Sequence, residues 1–245
     1  MKISVILLAG GTGSRMGSAI PKQFLPLQGV PVALHSLQVL LQLKEVIETI
    51  VVCLPEFRHH FAPFSVRFAL PGAQRQDSVY NGLQHVSAHS DWVAVHDAAR
   101  PFITPALVQK LFYEGKNVGA ASLAMPVKNT LKEVQTDQKV ARTLDRSRVW
   151  EIQTPQLLKK EILEAGFAYA HAHQTAVTDD VSLAELIGHP VHLVPGCYQN
   201  IKITTPEDWI FAEWLMVKNS GCASPMMEPA TAAGKSSPIA SPSKA

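Results

Sequence analysis

The sequence is short of several things, and each shortage closes off a class of protein. It has three cysteines, Cys53, Cys197 and Cys222, odd in number and without CxxC spacing. They read as isolated, which argues against a disulfide framework or a zinc site and fits a reducing, cytoplasmic compartment. Charged residues make up only 17% of the chain and the formal net charge is +2 at pH 7. The basic residues are scattered rather than massed, so the stripe or patch of a nucleic-acid surface is missing. No apolar run is long enough to cross a bilayer, so no membrane contact is expected. The opening MKISVILLAGG has neither the longer apolar region nor the small-residue cleavage site of a signal peptide, and reads as a first buried strand. There is no internal repeat, no nucleophile elbow and no HExxH helix. His59-His60 and His171-x-His173 lack the i, i+4 spacing and the third partner of a helical metal site, and read as surface residues.

What is present is a large apolar fraction, 47% of 245 residues, enough for the core of one α/β domain or two small ones. Apolar, β-branched runs alternate with stretches of helical spacing. Residues 3–9 form the first run. GVPVALHSLQVLLQLKEV follows with Val32, Leu34, Leu37, Val39, Leu40 and Leu43 at helical intervals. TIVVCLP and VRFALPG read as strands, QRQDSVYNGLQHVS as a helix and WVAVHDA as a strand. TPALVQKLFYEG is a helix capped by Thr104 with Pro105 in its first turn, and GAASLAMPV is a further strand. This alternation predicts an α/β fold, a mostly parallel sheet with helices on both faces.

Over residues 128–156 the pattern turns polar. TLKEV and KVARTL alternate about QTDQ, which predicts a protruding β-hairpin arm. A two-stranded ribbon is marginal alone in water, so the arm is expected to pack against something, a second subunit in particular. Then come a helix (LLKKEILEAGFAYAHAH), a second helix opened by Thr178 as N-cap (DDVSLAELIG), a strand (PVHLVPG), an extended NIKITT and a last helix (PEDWIFAEWLMVKN). Residues 221–245 are rich in Ser, Pro and Ala without periodicity and are expected to be a disordered tail behind a single domain over 1–220.

The chemistry is concentrated in LLAGGTGSRMGSAIPKQFLPL, directly after the first strand. A P-loop needs GxxxxGK[ST], and here the lysine arrives only at Lys22. A dinucleotide fingerprint needs GxGxxG, but Gly11-x-Gly13-x-x-x-Gly17 is one residue too long, and Glu56 is a weak candidate for its acid. What remains is a loop whose amides at Gly10, Gly11 and Gly13 can close on a triphosphate, with Arg15 and Lys22 in reach. Pro21 stiffens the chain before Lys22. The alternative is an ordinary strand-to-helix turn with a solvated lysine. Asp97 ends WVAVHDA, at the edge where the ligand crevice of an open α/β sheet lies. It suits a Mg²⁺ ion that also takes phosphate oxygens, or else a turn before Pro101. His96 beside it reads as structural.

In combination these residues resemble a family. LLAGGTGSRM, PKQFL, DSV at 77–79, VHDAARP at 95–101, TLDR at 143–146, QTPQ at 153–156, TDD at 178–180 and NIKIT at 200–204 occur in the order found in the 2-C-methyl-D-erythritol 4-phosphate cytidylyltransferases of non-mevalonate isoprenoid synthesis. The resemblance spans roughly residues 1–220. It implies a Rossmann-like nucleotidyltransferase sheet and a reaction in which a phosphomonoester oxygen of methylerythritol 4-phosphate attacks the α-phosphorus of CTP and expels pyrophosphate. Such a phosphate has a second pKa of about 6 and is mostly dianionic at pH 7, so no general base is needed. Positioning and charge stabilisation dominate instead.

The resemblance further implies a Mg²⁺ cofactor on Asp97 and a homodimer formed through the arm. By the same token Arg15, Lys22 and Lys202 are the catalytic cations. Ala9, Gly10, Gly11, Gly13, Gly72, Ala73 and Ser78 hold CTP, the base being read largely by main-chain groups. Arg100, Arg146, Thr154, Thr178 and Asp179 hold the acceptor phosphate, and Arg146 and Thr154 lie on or beside the arm. Two departures stand out. Where many relatives have GGD or GGE, this chain has Pro71-Gly72-Ala73-Gln74, and the middle residue of the usual AAG is Gly10. The nearest rival, a ribitol 5-phosphate cytidylyltransferase, shares the glycine loop, PKQF and QTPQ, but TLDR and TDD look more like the methylerythritol branch. VHDAARP argues against a UTP-dependent sugar-1-phosphate enzyme. An inactive nucleotide-binding partner protein is disfavoured because Arg15, Lys22, Asp97 and Lys202 are all present.

Overall fold

The computed structural model describes residues 1–11 and 20–218. Gly13 and Arg15 of the glycine loop and the expected tail over 221–245 lie outside the described residues. The first apolar run is strand β1 (Ile3–Leu8), followed by a two-stranded hairpin, β2 (Pro26–Leu27) and β3 (Val30–Pro31). Gln28 and Gly29 form its tip at φ 53° and 77°, the left-handed pair that a two-residue hairpin turn demands. Residues 30–31, expected at the start of a helix, are therefore strand, and helix α1 is Val32–Leu41. Then follow β4 (Val46–Val52), β5 (Arg67–Ala69), α2 (Arg75–Leu83), β6 (Trp92–Asp97), α3 (Pro105–Gly115) and β7 (Ala120–Pro126). The Thr104 hydroxyl caps α3 by accepting from the Leu107 amide at 3.3 Å, as its Thr-Pro start predicts.

The arm is present as β8 (Lys132–Val134) and β9 (Val140–Thr143), antiparallel and fully exposed, with Gln138 at φ 65° in its turn. It ends earlier than expected. β10 (Trp150–Lys159) leaves the arm and runs between β7 and β6, antiparallel to both. Gln153, Thr154 and Gln156 thus belong to the central sheet. The next helix, α4, spans Lys160–Ala172 and does not begin at Leu157. The reason is the periodicity: Leu157 and Leu158 are adjacent, both fully buried and packed on opposite sides of the sheet, a strand period of two. Helix α5 (Ser182–Leu186), strand β11 (His192–Pro195) and helix α6 (Pro206–Val217) complete the chain. Thr178 does not cap α5. The residue at its N-cap is Val181, which makes no side-chain bond, while Asp179 ahead of it accepts from the Ser182 amide at 3.1 Å and from its hydroxyl.

The sheet order is β11-β7-β10-β6-β1-β4-β5, with only β10 antiparallel. Side chains of β1 explain the two-sided cover. Ile3, Val5 and Leu7 pack with Leu37 and Leu40 of α1 and Leu107 and Leu111 of α3. Ile6 points the other way, to Val79 and Leu83 of α2 and Leu163 and Phe167 of α4. Each fully buried Leu or Ile contributes about 1.5–3 kcal/mol, so the inner strands form a stiff platform. Helix α2 sits close on it because Gly82 faces Ile6; a Cβ there would lie 2.7 Å from Ile6 Cγ2. The chain steps outward from β1 to β4 and β5, then crosses back to β6 on the other flank of β1. That reversal, between β1 and β6, is where open α/β sheets leave a crevice at their carboxyl ends.

Of the cysteines, Cys53 is a buried free thiol whose pKa burial pushes up to about 11. Cys197 is disulfide-bonded, which corrects the reading of all three as isolated; spacing along the chain does not report proximity in space.

Candidate active site

Leu8 and Asp97 are register partners at the carboxyl ends of β1 and β6, and a cavity of about 400 Å³ opens directly beyond them. Its walls include Gly10, Gly11, Lys22, Asp97 and Lys202, together with Gly72, Ala73 and Ser78. The structure therefore gathers in one place residues that lie far apart in sequence. Ala9 lies just behind, buried, its carbonyl turned to Gln23.

Lys22 is placed by its neighbours. It opens a 3-10 turn, Lys22–Phe24, immediately after Pro21. The Gln23 side-chain amide donates to the carbonyls of Ala9 at 2.7 Å and Gly11 at 2.8 Å, tying the turn to the glycine loop. Phe24 stacks on Phe57 with ring centroids 4.3 Å apart. With a core anchor on one side and a polar tie beside it, the lysine backbone has little freedom, and its side chain is buried along the cavity wall.

Lys202 comes from the extended segment after β11. Asn200, fully buried, donates to the Thr154 carbonyl at 2.9 Å, and the Ile203 amide donates to the Ala99 carbonyl at 2.9 Å. Between these two anchors Lys202 projects its ammonium to Asp97 Oδ2 at 2.7 Å. The other carboxylate oxygen of Asp97 accepts from Arg75 Nε at 3.2 Å. Burial opposes ionisation of Asp97, but Arg75 and Lys202 outweigh it and hold the carboxyl well below the usual range. The group is an anion at any working pH.

Arg75 was not singled out by the sequence reading. Besides Asp97 it holds Asp180, donating from both terminal nitrogens to both carboxylate oxygens at 2.8 Å. One guanidinium thus joins the end of β6 to the loop before α5. A signal was available: Arg75 is the first residue of α2, where the helix dipole disfavours a cation. A cation at that end implies an anionic partner nearby. Asp180 and Gln156 were also missed as organisers. The Gln156 side-chain oxygen, Oε1, accepts from the amides of Asp180 at 2.7 Å and Val181 at 3.0 Å, and so aligns the TDD loop on β10.

His96 and Thr154 form a second support. The Arg100 carbonyl, 3.2 Å from His96 Nε2, can only accept, so Nε2 carries the proton and Nδ1 accepts from the Thr154 hydroxyl at 3.0 Å. The same hydroxyl oxygen accepts from the Asp97 amide at 3.1 Å. Full burial pushes the His96 pKa down to about 4, keeping the ring neutral and the chain of bonds intact at pH 7. His96 is structural, as expected, and acts on the Asp97 backbone.

The residues expected to hold an acceptor phosphate are not brought to this cavity within one chain. Thr154 is buried with its hydroxyl engaged on both sides. Asp179 is held by Ser182 and by the Gln156 amide at 3.3 Å. Arg100 is turned onto main-chain carbonyls, Asn200 at 2.7 Å and Ile152 at 3.4 Å. Arg146 lines a separate hollow with Lys128, Asp145 and Trp150, donating to the Lys128 carbonyl at 2.7 Å. Thr178 is exposed. Ser78, expected at the base, lines the cavity and accepts from the Gly72 amide at 3.0 Å.

A Mg²⁺ ion characteristically uses one or two carboxylates and completes its shell with phosphate oxygens and water. The cavity wall offers Asp97, and among the described residues no cluster of three His, Cys, Asp or Glu could cage a metal. That donor set fits an ion that arrives with a triphosphate.

Known proteins resemble this chain in sequence and in fold. The family model described as "IspD: 2-C-methyl-D-erythritol 4-phosphate cytidylyltransferase" matches residues 3–218. The chain is 48% identical over 220 residues to the chloroplastic 2-C-methyl-D-erythritol 4-phosphate cytidylyltransferase of Oryza sativa subsp. japonica, covering 87% of this chain and 74% of that one. It is 46% identical over 216 residues to the enzyme of the same name from Chlamydia pneumoniae, covering 88% and 100%. Among solved structures, the 4-diphosphocytidyl-2C-methyl-D-erythritol synthase of Anaerococcus prevotii superposes with a TM-score of 0.79 at 31% identity, covering 88% of this chain and 96% of the other. The cytidylyltransferase of Thermus thermophilus gives 0.74 at 31%, over 88% and 98%.

Proposed function

We propose, for a chain that belongs to the 2-C-methyl-D-erythritol 4-phosphate cytidylyltransferase family and so transfers CMP from CTP to that acceptor in isoprenoid precursor synthesis, that the transfer takes place in the cavity between Lys22, Asp97 and Lys202. The observation that carries the proposal is the convergence of these three on one cavity at the point where the strand order reverses.

The acceptor phosphate oxygen attacks the α-phosphorus, the bond to the β-phosphate oxygen breaks, and pyrophosphate leaves. The products are 4-diphosphocytidyl-2-C-methyl-D-erythritol and pyrophosphate. Lys22, with Arg15 outside the described residues, holds the triphosphate and offsets charge as the α-phosphorus becomes five-coordinate. Lys202 exchanges Asp97 for phosphate oxygens when the nucleotide is bound. Asp97 would hold Mg²⁺, which would supply positive charge to offset that of the phosphates. Gly10, Gly11, Gly72, Ala73 and Ser78 receive the nucleoside, and Arg75 keeps Asp97 aimed at the cavity.

Arg146 and the exposed Thr178 hold the acceptor phosphate, while Thr154, Asp179 and Arg100 act as positioning residues. Arg146 lies in a hollow apart from the cavity, so a complete acceptor site calls for the arm of a second copy. The arm suits that use: Val134 and Val140 are 58% and 57% exposed on a ribbon with no core of its own. We therefore favour a homodimer, in the cytoplasm; among the described residues no helix is long and apolar enough to cross a membrane.

Pyrophosphate release by the purified protein with CTP and Mg²⁺ is the test. Release is expected with methylerythritol 4-phosphate and not with ribitol 5-phosphate. Release with the ribitol compound alone would overturn the acceptor assignment, and silence with both would overturn the function.

A further inference from the structure

Resting on the assignment of the cavity to CTP, we infer that the contact between Gly10 and the ring of Pro71 fixes the main-chain wall that tells cytosine from uracil. The two bases have nearly the same outline. They differ in hydrogen-bonding pattern: cytosine presents an acceptor at N3 and a donor at N4, uracil a donor at N3 and an acceptor at O4. Only groups of fixed direction can use that inversion, by leaving a buried partner unmade with the wrong base.

On one side of the cavity the wall is main chain. Gly10, Gly72 and Ala73 line it and carry no side chain beyond a methyl group. Among the described residues neither Gly10 nor Ala73 makes a main-chain hydrogen bond, so their amide and carbonyl groups are open to a ligand. What keeps those groups in place is packing. A Cβ at Gly10 would lie 2.5 Å from Pro71 Cβ and 3.1 Å from its Cγ, so the end of β1 and the loop before α2 meet through a glycine and a proline ring. The ring is locked to its own backbone and cannot rotate away.

The loop has no slack on its far side either. A Cβ at Gly72 would lie 2.2 Å from Asp77 Cβ. The Gly72 amide is held by Ser78, and Asp77 accepts from the Gln74 amide at 2.9 Å. A methyl group added at position 10 must therefore displace Pro71, and with it the Gly72–Ala73 wall. Gly10 and Pro71 act as one positioning unit rather than as two independent residues.

The experiment is a double-mutant cycle read as the ratio of kcat/KM for CTP to that for UTP. Gly10→Ala is expected to lower the ratio about tenfold, through KM for CTP more than kcat. Pro71→Gly alone lowers it about threefold by loosening the wall, and in that background Gly10→Ala costs less than about twofold, because the obstructing ring is gone. In a Pro71→Ala background Gly10→Ala stays costly, because the closest atom, Cβ, remains. An unchanged ratio in Gly10→Ala overturns the inference, as does equal relief by Pro71→Ala and Pro71→Gly. Should Gly10→Ala not fold, Pro71→Gly with an unchanged ratio overturns it as well. CTP binding by Lys22→Ala separates the two levels: if that variant also binds CTP normally, it is the assignment of the cavity that fails.

Discussion

Replacing Arg75 by methionine is expected to lower stability by about 3–5 kcal/mol, the cost of leaving buried charge without its partner. Asp97 would keep Lys202 at 2.7 Å, so most of the loss falls on Asp180. That carboxylate is 2% exposed and has both oxygens on the Arg75 fork. Lysine is a poor substitute, since its three N–H donors sit on one nitrogen and cannot span the two carboxylates that Arg75 reaches from three separate nitrogens. Arg75→Met combined with Asp180→Asn should recover a large part of the loss, because both members of the pair are then neutral. Urea unfolding followed by tryptophan fluorescence measures all four proteins. A single Arg75→Met variant within about 1 kcal/mol of the parent would contradict the role given to this residue.

Lys22→Ala is expected to reduce turnover about a thousandfold while leaving the circular dichroism spectrum unchanged. Removing one preorganised donor from a developing oxyanion costs about a hundred- to a thousandfold, and a cation on a transferring phosphoryl group reaches the upper end or beyond. The fold survives because the turn is held by the side chains of Gln23 and Phe24. Steady-state kinetics on the variant gives the answer, and near-normal turnover would remove Lys22 from the mechanism.

The outline of the fold was readable because its strands are buried on both faces and its helices are amphipathic, two patterns that survive in a single sequence. The register of the segment after the arm was not. Residues 157–159 continue a strand, and only the opposite-facing burial of Leu157 and Leu158 distinguishes that from the helix that follows. In the site, Lys22, Asp97 and Lys202 could be named from their motifs because they sit on the cavity wall. The residues that hold them could not, since Gln23, Gln156 and Asn200 act through long-range bonds to main-chain groups that no local pattern records. Thr154 and Asp179 illustrate the reverse. Their motifs suggested ligand contact, and the fold uses their polar atoms internally.

In the proposed mechanism one cavity, at the junction of β1 and β6, holds the nucleotide during CMP transfer. Crystals of the protein grown with CTP and Mg²⁺ test it most directly. Density is expected for the triphosphate between Lys22 and Lys202, for a metal on Asp97 and for the base against Gly10, Gly72 and Ala73. Nucleotide density in the hollow beside Arg146, with the cavity beyond Leu8 and Asp97 empty, would contradict it.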